Sequence, residues 1–228
     1  MSTLTKRASG KPVVAIDGPA GAGKSSAARR LAERLGFVLV DTGALYRGVA
    51  LAAQERKVGW EDGPTLGELV DALVLTFLRD ADGTVRLCID GSDRSSDIRT
   101  PQISTGASRV SRHPEVRAAL LGLQRRLGAA GGVVLEGRDI GTVVFPDAEV
   151  KVFLTASDEA RARRRFDELS QAGHQVDFDQ VLLEIRERDR LDSERDIAPL
   201  KAADDAVLVD TSDLDLDQVL ARLEALVQ

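Results

Sequence analysis

Residues 13–26 read Val13-Val14-Ala15-Ile16-Asp17-Gly18-Pro19-Ala20-Gly21-Ala22-Gly23-Lys24-Ser25-Ser26. The four leading apolar residues lack polar alternation, the pattern of a strand covered on both faces. Gly18 to Ser25 fits G-x-x-x-x-G-K-[ST] without a gap. Glycines allow such a loop to turn its backbone N–H groups inward around an anion. From Lys24 to Leu35 the apolar positions Ala28, Leu31, Ala32 and Leu35 alternate with charged ones at helical period, and Gly36 ends the helix. A helix starting at Lys24 would aim its positive end at the same anion. Gly18, Pro19, Ala20, Gly21, Ala22, Gly23, Lys24, Ser25 and Ser26 are therefore the expected phosphate site. Lys24 would reach the β/γ-phosphates, and Ser25 would ligand Mg²⁺. A chain of this composition should show about 0.005 such matches by chance, and this one lies between a strand and a helix.

Working outward, four more short apolar runs predict strands: Phe37 to Val40, Val133 to Leu135, Val150 to Leu154 and Ala206 to Val209. Helical patterns separate them at Ala44 to Arg56, Pro114 to Leu127, Asp158 to Gln171, Phe178 to Glu194 and Leu216 to Leu226. This alternation predicts an α/β fold, a parallel five-stranded sheet flanked by helices. Residues 60–106 break the rhythm. Val74 to Leu78 and Thr84 to Ile89 flank Asp80-Ala81-Asp82-Gly83, which predicts a β-hairpin inside an insert, and Asp90-Gly91 marks a second turn. Residues 1–11 are polar and basic and predict a flexible tail.

Composition excludes several classes. The chain has 228 residues, enough to bury roughly 70% of its unfolded surface. Its net charge is −6 and it has eight aromatic residues, which argues against nucleic-acid binding. One cysteine, Cys88, leaves no internal disulfide and predicts a small core residue in a reducing, cytoplasmic setting. Two histidines, His113 and His174, make a His-based metal site unexpected, and both are read as structural or solvated. No apolar run is long enough for a membrane span, and no secretory h-region leads the chain. Asn is absent, which removes N-glycosylation sites and the Asn of protein-kinase catalytic loops. Of 31 Lys and Arg, 25 are Arg, the side chain that forks onto phosphate.

Other residue groups point at the acceptor. Asp41-Thr42-Gly43 follows the second strand, at the end that faces the ligand crevice in such sheets. Asp41 is a catalytic candidate there, and Thr42 is either a nucleotide contact or the cap of the next helix. Tyr46 and Arg47 follow. Glu136-Gly137-Arg138-Asp139 closes another strand, where Glu136 suits an acid associated with Mg²⁺. Arg188, Asp192 and Arg195 share one helical face, either as a surface ion-pair ladder or as a phosphate clamp. Arg161, Arg164 and Arg165 lie in a run that reads either as a solvated helix face or as a lid bringing cations over the transferring phosphoryl.

Taken together, these segments resemble the bacterial cytidylate kinase family of P-loop nucleoside monophosphate kinases, from about Val13 to Leu226. The resemblance rests on Asp41 to Arg47, Asp97 to Thr100, Val116-Arg117, Gln124 to Arg126, Glu136 to Asp147, Glu187 to Asp189 and Ala198 to Leu200. It implies a single kinase domain over 12–228, with the core at 12–59 and 107–228, a monophosphate-side insert at 60–106 and a lid at 160–173. The implied reaction is ATP with CMP or dCMP to ADP with CDP or dCDP, with Mg²⁺. A monomer is expected, with no nucleic-acid or membrane partner. It implies Lys24, Arg138, Arg188 and Asp41 as catalytic. Thr42, Tyr46, Arg47, Ser108, Arg117, Arg138, Asp139, Arg188, Asp192 and Arg195 would hold CMP, with Ser108, Arg117, Arg138 and Asp139 reading the cytosine. Glu136 stands where an Asp is usual. Competing expectations are a kinase of UMP or AMP and a non-catalytic ATP-binding regulator.

Overall fold

The computed structural model describes residues 8–80 and 85–227. In chain order the elements are β1 (Val13–Asp17), α1 (Lys24–Leu35), β2 (Val38–Asp41), α2 (Thr42–Glu55), α3 (Gly63–Ala72), β3 (Leu75–Arg79), β4 (Val85–Ile89) and β5 (Ser92–Asp93). Then come α4 (Pro101–Val110), α5 (Pro114–Gly128), β6 (Val133–Gly137), β7 (Val150–Thr155), α6 (Asp158–Gln171), α7 (Phe178–Ser193), β8 (Val207–Asp210) and α8 (Leu216–Val227). A 3-10 turn spans Asp97–Arg99, and one turn of π-helix spans Ile140–Val144. The chain divides into two compact units, Met1–Val38 with Gly131–Gln228, and Leu39–Ala130.

The five expected strands form one sheet, in the order β2-β6-β1-β7-β8. Pairs β1–β6, β1–β7 and β7–β8 are parallel. Every residue of β1 is buried, which explains its unbroken apolar run. Fully burying a side chain such as Ile16 contributes roughly 2 kcal/mol. Register then places the chemistry: Asp17 lies beside Gly137 of β6 and beside Phe153 of β7. The loop that leaves β1 therefore starts next to the Glu136-Gly137-Arg138-Asp139 segment. In this unit α6 and α7 also form a helical pair with a small core of Ala162, Val181 and Ile185, and Arg163 stacks 4.5 Å from the Phe178 ring centroid.

The second unit has its own core, built from α2, α3, α4, α5 and a small antiparallel sheet, β3-β4-β5. The expected hairpin is present as β3 and β4, and its expected turn residues 81–83 lie outside the described residues. Asp90 (φ 50°) and Gly91 (φ 81°) make the second turn into β5, the two positive dihedrals that a tight two-residue hairpin needs. Two helices, α3 and α4, accompany the hairpin. Asp62 and Thr100 cap them, each followed by a proline in the first turn. Trp60 is tied down at both ends of its residue: its indole N–H donates to Ala50 O at 3.0 Å, and its carbonyl meets His113 Nε2 at 2.8 Å. His113 is thus structural, His174 is exposed, and Cys88 is buried in β4. Residues 1–7 of the expected tail lie outside the described residues; Lys11, at its far end, sits over the Phe37 ring at 5.4 Å.

Candidate active site

The glycine-rich loop joins β1 to α1 by way of backbone that only glycine fits. Gly18 has φ 143°, and a Cβ there would lie 1.9 Å from Leu154 O. Gly21 has φ 76°, and a Cβ would meet the Arg161 Cβ at 3.0 Å. The Lys24 amine folds back to donate to Pro19 O at 2.6 Å. Burial pushes its pKa well below the ordinary value, and the Arg138 and Arg188 guanidiniums push the same way, while the Glu136 and Asp17 carboxylates oppose. Lys24 is thus buried in the electrostatic reach of two half-buried guanidiniums, a setting that an arriving anion would relieve. Ser25, in the first turn of α1, donates to Glu136 Oε2 at 2.8 Å. The hydroxyl and the carboxylate are hard oxygen ligands, the donor type that magnesium takes along with phosphate oxygens and water. Among the described residues no group of three His, Cys, Asp or Glu side chains is arranged to hold a metal ion.

Asp17 has a role that its place at a strand end does not announce. Its carboxylate accepts the N–H of Ile140 at 2.8 Å and of Gly141 at 2.7 Å. These are the first N–H groups of the π-helical turn, so Asp17 ties β1 to the turn that follows Arg138-Asp139. Burial raises its pKa to about 6; the two N–H bonds and Lys24 pull it down, and Asp139 adds to the rise.

Arg188, Asp192 and Arg195 share a face of α7 and the residues just after it, as their spacing predicts. Asp192 is 5% exposed and accepts from Arg138 Nε at 3.1 Å, with Arg195 Nη1 at 3.8 Å. That burial rules out a solvated surface ladder. Burial alone would raise the Asp192 carboxyl, yet Arg138, Arg188 and Arg195 outweigh it and hold the pKa below the usual carboxylate value.

The arginines on α6 that the sequence singles out are each engaged by protein groups. Arg161 is 3% exposed and packed into the fold. Its guanidinium donates to Ala156 O, to Ala20 O in the loop, and to Asp158, and it pairs with Asp189 at 2.6 Å. Arg164 donates to Gly21 O and to Thr211. Arg165 is half-buried and pairs with Glu168 at 2.8 Å. Burial among carboxylates and carbonyls suits Arg161 to fixing structure, because its charge is already compensated.

In the second unit, Asp41 caps α2: its carboxylate accepts the Ala44 N–H at 3.0 Å. Thr42 is the first residue of that helix, so the capping role expected of Thr42 belongs to Asp41. The other Asp41 oxygen holds Arg47 Nη2 at 2.6 Å. Tyr46, one residue earlier, carries the Arg117 guanidinium 5.6 Å from its ring centroid. Arg117 Nη1 also donates to Ser111 O at 3.1 Å. Ser108 lies half-buried on α4. The second unit thus brings Tyr46 and Arg117 together and pairs Asp41 with Arg47. The first unit gathers Lys24, Glu136, Arg138, Arg188, Asp192 and Arg195. The sequence reading overlooked Asp17 and Thr211; the only signal was position, Asp17 directly before the loop and Thr211 directly after β8.

The family model for cytidylate kinase matches residues 14–228. The chain is 52% identical over 211 residues to a protein named cytidylate kinase from Syntrophotalea carbinolica, covering 92% of this chain and 89% of the other. It is 50% identical over 214 residues to one of the same name from Pelotomaculum thermopropionicum, covering 94% and 95%. A solved structure of an uncharacterized protein from Eubacterium ventriosum is similar in fold, with TM-score 0.52 at 12% identity over 95% of this chain and 98% of that one. A family match that begins inside β1 and runs to the last residue, with relatives at half identity over nearly their full length, places this chain in the cytidylate kinase family.

Proposed function

We propose that the protein transfers the γ-phosphoryl group of Mg·ATP to CMP and dCMP, giving ADP with CDP or dCDP. Membership of the cytidylate kinase family makes the chain a nucleoside monophosphate kinase. The observation that carries the reading is the glycine-rich loop itself, with buried Lys24 folded back onto Pro19 O and Ser25 bonded to Glu136 at the start of the helix it opens. Phosphoryl transfer needs alignment and charge neutralisation more than covalent help. A phosphate oxygen of CMP attacks the γ-phosphorus, the bond to the β,γ-bridging oxygen breaks, and ADP leaves with that electron pair. The attacking oxygen is already anionic, so no strong general base is required.

Each part has a role in this reading. Residues 18–26 cradle the donor phosphates, and Lys24 meets the β/γ oxygens as charge shifts toward ADP. Ser25, with Glu136 acting through water, would hold Mg²⁺, which would supply neutralisation of charge on the phosphate oxygens. In the first unit, Arg188 and Arg195 grip the acceptor phosphate, while Asp192 orients both and takes the sugar hydroxyls. Arg138 and Asp139 address the cytosine: its carbonyl and ring nitrogen need donors, and its amino group needs an acceptor. In the second unit, Arg47 grips phosphate, Tyr46 and Thr42 flank the nucleotide, and Ser108 and Arg117 supply further donors to the base. Asp41 acts by holding Arg47.

Residues 60–106 are read as the monophosphate-side insert of one kinase domain, and 160–173, with Arg161, Arg164 and Arg165, as its lid. No described helix is long and apolar enough to cross a membrane. In this reading the enzyme works as a monomer on free nucleotides in the cytoplasm. ATP labelled in the γ-phosphate tests it: the label should appear in CDP in step with ADP, and label released only as inorganic phosphate would contradict it.

A further inference from the structure

Four successive carbonyls of the loop each have a side-chain donor. Lys24 Nζ donates to Pro19 O at 2.6 Å, and Arg161 Nη1 to Ala20 O at 3.1 Å. Arg164 Nη1 donates to Gly21 O at 3.4 Å, and Thr211 Oγ1 to Ala22 O at 3.1 Å. Three of the four donors come from outside the loop motif, two from α6 and one from the end of β8. A trans peptide plane points its N–H opposite to its C=O. Holding the carbonyls of Ala20, Gly21 and Ala22 on one side therefore sets the N–H groups of Gly21, Ala22 and Gly23 on the other. We propose that Arg161, Arg164 and Thr211 are positioning residues that preset these three N–H groups toward the phosphates of the nucleotide donor. This proposal rests on the reading of the loop as the ATP-phosphate site and deepens it.

The donors are themselves held firmly. Thr211 is 2% exposed, and its backbone N–H donates to Thr155 O at 2.8 Å. Its hydroxyl accepts Arg164 Nη1 at 3.0 Å and has one hydrogen to give. Ala22 O and Thr155 O both lie 3.1 Å from the hydroxyl, so its one hydrogen bridges the loop carbonyl and the end of β7. The second Arg164 nitrogen donates to Thr211 O, which fixes the guanidinium plane. Arg161 is braced by Ala156 O, Asp158 and Asp189. Gly21 packs so closely on Arg161 that a Cβ there would also lie 3.2 Å from Arg161 O. The loop thus rests against the first turn of α6. A loop held this way does not reorganise when an anion arrives, which is where an oriented-amide site gains over water.

Thr211→Val is the direct test, because it keeps the shape and removes the hydroxyl. Binding of inorganic tripolyphosphate and of ATP would be measured by calorimetry, with Thr211→Ser and Arg164→Met in parallel and melting curves for each. The expected result is a loss of about tenfold for both ligands in Thr211→Val, the size of one hydrogen bond. Arg164→Met should lose at least as much, Thr211→Ser should recover wild-type affinity, and the KM for CMP should not move. A lowered melting point with tripolyphosphate affinity within about twofold of wild type would overturn the proposal and leave a structural role alone. So would a loss for ATP that tripolyphosphate does not share, because the contact would then be with the nucleoside. Wild-type protein that binds no tripolyphosphate would overturn the phosphate-loop reading and this proposal with it.

Discussion

The Ser25 hydroxyl in the first turn of α1 donates to the Glu136 carboxylate on β6 at 2.8 Å. One bond thus joins the helix that follows the phosphate loop to the second chemistry-bearing strand, and it brings together the two oxygens assigned to Mg²⁺ in the proposed function. Glu136→Ala should lower kcat by about 10²-fold, with a smaller change in the KM for CMP. Glu136→Asp, one methylene shorter, should lose less than Glu136→Gln, because it keeps the charge. Initial rates across a Mg·ATP series at saturating CMP read the three variants side by side, and equal rates for Asp and Gln would mean that charge at this position is unimportant.

Asp17 should make stability depend on pH in an uncommon direction. Its folded pKa of about 6 lies above the ordinary 3.8. Between these values the folded chain holds a proton that the unfolded chain has released. The benefit is full below about 4 and is lost as pH rises through about 6. From pH 5 to pH 7 the loss is on the order of 1 kcal/mol. Asp17→Asn keeps an acceptor for one of the two N–H groups and cannot titrate. Urea unfolding of both proteins at the two pH values should show the wild type losing about 1 kcal/mol more than Asp17→Asn. Parallel losses would show that Asp17 does not titrate in this range.

Asp41 separates two functions that one carboxylate serves, capping α2 and holding Arg47. Asn is as good a cap as Asp, so Asp41→Asn should change stability by less than about 0.5 kcal/mol. It should still raise the KM for CMP several-fold, because Arg47 loses its partner. Arg47→Ala should abolish most CMP phosphorylation and leave ATP binding intact. Steady-state kinetics with a separate ATP titration distinguish the two effects, and full turnover in Arg47→Ala would remove Arg47 from the acceptor site.

Base choice should respond to Arg117 and Asp139. Arg117→Met keeps the length of the side chain and much of its packing on Tyr46, but removes the donors. Asp139→Ala removes the carboxylate proposed to accept from the cytosine amino group. Both variants should narrow the ratio of CMP to UMP turnover by about tenfold, the scale of one lost hydrogen bond in a built site. An unchanged ratio in either would take that residue out of base recognition.

Much of this architecture was legible from residues 13–36. An unbroken apolar run, glycines at fixed intervals and a helical period fit one another, and α1 begins and ends where the pattern says. Helix α6 likewise matches at both ends, because Ser157 caps it and acidic residues open it. Helix α4 escaped notice because its inward face is mostly small: Ile103, Gly106, Ala107 and Val110. Its period is correct, but glycine and alanine carry little hydrophobic signal. The π-helical turn at 140–144 depends on Asp17, 123 residues away in sequence, and no local pattern reports such a partner. The arginines of α6 show the same limit. Spacing reveals which side chains share a face, yet only the folded chain shows that Arg161 and Arg164 spend their donors on loop carbonyls.

The central claim is the identity of the acceptor. ADP formation from Mg·ATP would be followed with CMP, dCMP, UMP, AMP and GMP offered separately, alongside a reaction without acceptor. Turnover with CMP and dCMP far above the other three, and none without acceptor, is the result this account predicts. Preference for another monophosphate, or ADP formed equally well without any, would contradict it.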